Sequence, residues 1–149
     1  MKPWRRAAGA LALSAAALGL LSSCGGAAAA SPSPSTSPRP IVVQLTIHHS
    51  HFTPDHVDVP AGSDVRFVIT NTDPIDHEFI VGPPEVHARH EVGRESHHHG
   101  DVPGEVSVAA DSDASTTYRF EAPGDVVYAC HLPGHFAYGM KGIVTVVPR

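Results

Sequence analysis

From Ile41 to the end of the chain, apolar side chains come in short runs, mostly of β-branched residues, that alternate with polar ones and stop at Pro, Gly, Asn or Asp. Alternation with a period of two marks strands that bury one face. It predicts strands over 41–48, 56–59, 65–71, 77–81, 104–108, 115–121, 126–130 and 142–147. Turn signals separate them at Pro60-Ala61-Gly62, from Asn71 to Pro74, at Asp111-Ser112-Asp113 and at Pro123-Gly124-Asp125. No stretch after residue 41 has a long 3.6-residue apolar period with caps. The expected fold is therefore all-β, a two-sheet antiparallel Greek-key sandwich of seven or eight strands. Residues 83–103 break the rhythm. They are polar and are expected to form a long functional or mobile loop between two strands.

The first forty residues follow different rules. A basic start (Lys2, Arg5, Arg6), an apolar run from Ala7 to Leu21 too short for a comfortable membrane span, and small residues at its end are the three parts of an export signal. Leu21-Ser22-Ser23-Cys24 resembles the lipobox of bacterial lipoproteins, in which the signal is cut before the Cys and that Cys carries the lipid. The resemblance implies an anchor at Cys24, on the outer face of the cytoplasmic membrane, the alternative being an ordinary cleaved signal and an exported protein. Residues 24–40, rich in Ala, Ser and Pro, cannot bury a core and are expected to act as a stiff tether. The expected organisation is a signal over 1–23, a tether over 24–40 and one extracytoplasmic domain over 41–149.

All fifteen acidic residues follow Cys24, whereas three of the ten basic ones precede it, which leaves a net charge near −8 beyond that point with His neutral. Nucleic acid is thereby disfavoured as a partner, because phosphate binding needs a basic face. An acidic surface suits a positively charged protein.

With Cys24 assigned to the lipid, Cys130 has no partner for an intramolecular disulfide, and an unpaired Cys in an exported chain asks for a reason. It is either a small apolar core residue or a metal ligand. Its neighbours argue for the second, because Cys130, His135 and Met140 recur five residues apart on the short connection between the last two expected strands. A thiolate, an imidazole and a thioether together suit copper in both oxidation states. A fourth ligand must come from elsewhere, and His77, at the start of a strand after a turn, is the candidate.

On these residues, together with Phe52-Thr53-Pro54, Val57-Asp58-Val59, Gly62, Val65-Arg66-Phe67 and Asn71, the chain resembles the cupredoxins, the blue-copper family that includes plastocyanin and azurin. The resemblance covers nearly all of 41–149. It implies one copper ion with His77, Cys130 and His135 in a near-trigonal plane and Met140 on a long axial bond. It also implies a hydrogen bond from the backbone near His77 to the Cys sulfur. Glu78 stands where many plastocyanin-type members have Asn, and Asn71 is a candidate for that supporting role or a turn residue. His131 beside the Cys resembles the His-Cys-His of multicopper oxidases, yet Ala129 takes the place of the first His. A single Cys in the loop likewise departs from the binuclear copper domain of cytochrome oxidase subunit II, and Met140 has no place in a cysteine-nucleophile enzyme.

The implied function is a non-enzymatic carrier of single electrons between a redox donor and acceptor, with copper buffering or delivery as the alternative. A second candidate metal group lies in residues 83–103: His87, His90, His97, His98 and His99. It competes with a solvated loop whose imidazoles titrate independently.

Overall fold

A computed structural model describes residues 39–91 and 102–149. The expected signal, the Cys24 motif and His97, His98 and His99 lie outside these residues. Among the described residues no helix is long and apolar enough to cross a membrane.

Nine strands form two sheets there. The first has the order β2 (His51–Thr53), β1 (Ile41–His48), β4 (Ser63–Asn71) and β7 (Asp113–Phe120). The second has the order β3 (His56–Pro60), β9 (Lys141–Val147), β8 (Gly124–Ala129), β5 (His77–Gly82) and β6 (Glu105–Val108). Every strand expected from alternation is present. The clearest case is β4, where Ser63, Val65, Phe67, Ile69 and Asn71 are buried and the residues between them are not. β2 was not foreseen, since three residues are too few to show a period.

Two of the pairings, β1 with β4 and β3 with β9, are parallel, so both sheets are mixed. Alternation reports which face of a strand is buried and carries no information on its direction. After β2 the chain leaves the first sheet, and β3 joins the edge of the second beside β9.

The core between the sheets is aromatic. Phe79 packs against Phe67, Phe52 and Tyr128, with ring centroids 4.9, 5.8 and 5.4 Å away, and Phe67 meets Phe120 at 6.2 Å. Pairs at these spacings add to the area they bury. β5 is buried along its whole length, because β8 and β6 flank it in the sheet and a helix packs against it. That helix, α1 (Pro84–Glu91), occupies the first part of the segment expected to be a loop. Its buried residues are His87 and His90, so no apolar period announces it. Pro84 at its first position costs nothing there, as that N–H has no helical partner.

Tyr128 lies opposite Gly142 across the β8–β9 pair and donates its hydroxyl to the Pro54 carbonyl at 2.7 Å. A Cβ on Gly142 would collide with the Tyr128 ring and hydroxyl and stand 2.6 Å from the Asp55 carbonyl oxygen. Gly142→Ala is therefore expected to destabilise the fold by about 1–3 kcal/mol. A lower urea midpoint at unchanged slope would show this, and an unchanged midpoint would contradict it.

Candidate metal centre

His77 opens β5 at the end of a tight connection, residues 71–76, which Asn71 ties together. The Asn71 side chain, 2% exposed, donates to the Ile75 carbonyl at 2.8 Å and the Ala109 carbonyl at 2.9 Å, and accepts the Asp73 N–H at 3.0 Å. Its role is to shape the connection that delivers His77. The contact with the Cys sulfur comes instead from the Glu78 N–H, 3.3 Å from Cys130 Sγ. This donor is backbone, so the identity of the side chain at Glu78 does not decide it.

The other donors come from one loop. Cys130 follows β8, and the turn after it runs into the short helix α2 (His135–Tyr138). Gly134 and Gly139 bracket α2 with left-handed backbone, φ 85° and 106°, a conformation that costs a residue with a Cβ 1–2 kcal/mol. Space is not the reason for glycine here, as neither position has a neighbour in a Cβ's way. The loop is closed by the Cys130 N–H on the Met140 carbonyl at 3.1 Å and the Met140 N–H on the His135 carbonyl at 3.0 Å.

These elements bring the donor atoms of His77, Cys130 and His135 within 4.8 Å of one another, and no other such trio occurs among the described residues. His135 Nδ1 is 3.2 Å from His77 Nδ1 and 3.3 Å from Cys130 Sγ. Met140 is fully buried at the end of the same loop. His77 Nε2 lies 3.0 Å from the Asp73 carboxylate, which accepts a hydrogen bond from the Nε2–H and so leaves Nδ1 as the nitrogen with the lone pair. Burial pushes the Cys130 thiol up to about 11, against the Glu78 and Leu132 amides that favour its thiolate. Burial likewise lowers the His135 imidazole, with His77 adding to the effect. Burial would raise the Asp73 carboxyl, but the Ser50 and His49 amides and His77 outweigh it, so its pKa is lowered and it is a carboxylate at neutral pH.

Two imidazole nitrogens and a sulfur that face one another are a donor set suited to a soft or borderline cation. A hard oxygen-seeking ion finds no ligand in it. The donor set fits copper.

The remaining histidines are placed differently. His87 and His90 lie on the buried side of α1, and His87 Nδ1 is 2.9 Å from His131 Nε2. His87 Nε2 faces the carbonyls of Gly82 and Val127, each at 3.1 Å. His90 donates Nδ1–H to the Val86 carbonyl at 2.8 Å, and its Nε2 lies 3.3 Å from Glu105, which also holds Arg89 at 3.0 Å. His131 stacks on Phe136 at 5.1 Å, and Lys141 Nζ sits 5.1 Å from the Phe136 ring centre. Nothing in the residue pattern signals that His131 joins the α1 histidines. Asp73 was also missed, though its place four residues before His77, on a turn, was a usable signal.

Among known proteins, a family model described as a cupredoxin-like domain matches residues 12–146. The copper-resistant cuproprotein CopI of Rubrivivax gelatinosus is 38% identical over 98 residues, 64% of this chain and 59% of that protein, so the match leaves over a third of that relative unspanned. CopI of Pseudomonas aeruginosa is 28% identical over 137 residues, 71% of this chain and 76% of that one. The solved structure of auracyanin B superposes with a TM-score of 0.61 at 26% identity, over 75% of this chain and 93% of that one.

One pH dependence follows from the histidine cluster. The His131 imidazole is pushed down to about 4, by burial first and then by His87 and His90. An unfolded chain binds that proton at about pH 6.5, before the folded one does. The stability held by keeping His131 neutral is thus whole above about pH 6.5 and is lost as pH falls toward 4. The urea midpoint of the metal-free protein should fall over that range, and fall less in His131→Phe, which keeps a flat neutral ring on Phe136. Equal slopes in the two proteins would refute this.

Proposed function

Because the chain belongs to the family of cupredoxin-like domains, we propose that it is an extracytoplasmic, lipid-anchored copper protein that carries single electrons between redox proteins. The observation behind this reading is the convergence of His77, Cys130 and His135 within 4.8 Å. These three residues would hold the copper, and the buried Met140 at the end of the same loop would be its weaker fourth ligand. Copper, when bound, supplies a one-electron couple.

The chain's own residues do the rest. Both connections that carry ligands are cross-tied by hydrogen bonds, so the donors need move little between oxidation states. The Glu78 N–H draws electron density from the sulfur and thereby tunes the potential. His135, the least buried of the three, shares α2 with Tyr138, which is 69% exposed, and this edge is where a redox partner would approach. The role is that of a carrier rather than an enzyme, and the acidic composition favours a positively charged partner.

A second reading, that the protein buffers or delivers copper, draws on the name of the CopI relatives. Fast electron self-exchange with firmly held copper favours the carrier. Ready release of Cu(I) to a chelating acceptor favours the buffer.

The copper-loaded protein should show an intense thiolate-to-Cu(II) absorption that Cys130→Ser abolishes, since a hydroxyl is a poor donor at neutral pH. Met140→Leu should keep copper and colour while raising the reduction potential, because an apolar axial neighbour disfavours Cu(II). A coloured Cys130→Ser protein would sink the ligand assignment. The anchor has its own test: a fatty-acid label that enters the exported protein should be absent from Cys24→Ser, and a labelled variant would place the lipid elsewhere.

A further inference from the structure

An imidazole offers a metal one nitrogen, and the partner of the other nitrogen decides which. At His77 that partner is a carboxylate. Asp73 Oδ2 stands 3.0 Å from His77 Nε2, and the two residues are 5% and 1% exposed. The carboxylate is itself fixed, because Oδ1 accepts the His49 N–H and Oδ2 the Ser50 N–H, each at 2.7 Å.

These two amides belong to the turn between β1 and β2, where His49 and Ser50 both have left-handed backbone, φ 50° and 57°. That conformation is unfavourable for residues with a Cβ. It aims two successive N–H groups at one place, and Asp73 fills it. The Asp73 N–H in turn is held by Asn71 Oδ1. Two segments distant in sequence thus lock one carboxylate against the nitrogen of His77 that faces away from Cys130 and His135.

We propose that Asp73 is a positioning residue for the metal site, fixing the proton of His77 on Nε2, aiming Nδ1 at the ion, and favouring the oxidised ion through its buried negative charge. The inference rests on the copper reading of the same site. A carboxylate fixed out of water beside a ligand attracts a dication more strongly than a monocation, so it stabilises Cu(II) over Cu(I).

The test compares the copper-loaded full-length protein with Asp73→Asn. An Asn whose oxygen takes the place of Oδ2 keeps the bonds to Ser50 and His77 and removes the charge. The ratio of Cu(II) to Cu(I) affinity should fall on the order of tenfold or more, read as a raised reduction potential with the charge-transfer band retained. An unmoved potential with the band retained overturns the proposal.

A second measurement needs no variant: nitrogen NMR of wild-type protein loaded with Cu(I) should find His77 protonated at Nε2. A proton on Nδ1 overturns the proposal even if Asp73→Asn fails to fold. A wild-type protein without the charge-transfer band would defeat the copper reading itself, whereas a coloured one that fails either test defeats only the role of Asp73.

Discussion

Two imidazole nitrogens and a thiol sulfur held within 4.8 Å of one another, mostly out of water, are in a state that the chain has to impose. Burial raises the cost of charging the sulfur, as the rise of the Cys130 thiol to about 11 registers. Hydrogen bonds on both sides supply the constraint. Asn71 and Asp73 hold the connection that carries His77, and two left-handed glycines with cross-loop amides hold Cys130, His135 and Met140. His77 and the Cys130 loop lie at the same end of one sheet, where the β5–β8 pairing, with Ile80 opposite Ala129, sets them side by side, and the aromatic core of Phe52, Phe67, Phe79 and Tyr128 packs that sheet on the other.

How much of this could be read in the sequence depends on what kind of interaction carries each part. Strands with one apolar face, such as β4, were legible because burial acts on side chains at every second position. The direction of β1 and β3 was not, since parallel and antiparallel strands bury the same face. α1 escaped because the side chains it buries are His87 and His90, polar by type and buried through hydrogen bonds. The spacing of Cys130 and His135 on one loop, and the place of His77 after a turn, pointed to the three residues that the fold brings together. Asp73 showed only as a turn residue four places before His77, because the pattern of residue types does not say which carboxylate faces inward, whereas the backbone bond to the Cys sulfur was an expectation of the family resemblance.

The histidines divide by their second nitrogen. His77 has its Nε2 taken by a carboxylate, which leaves a lone pair for a metal. His87 has its Nε2 at two carbonyls and its Nδ1 at His131, so both of its nitrogens have protein neighbours. A count of twelve imidazoles in the sequence does not separate these cases. Their partners do, and the partners come from elements far apart in the chain.

A crystal structure of the copper-loaded protein tests the central claim most directly. The account predicts one copper bound by His77 Nδ1, His135 Nδ1 and Cys130 Sγ, with the Asp73–His77 hydrogen bond intact and the two connections unmoved. Copper bound through His77 Nε2 with Asp73 displaced, or copper held by the His87–His131 pair while this site stays vacant, would contradict it.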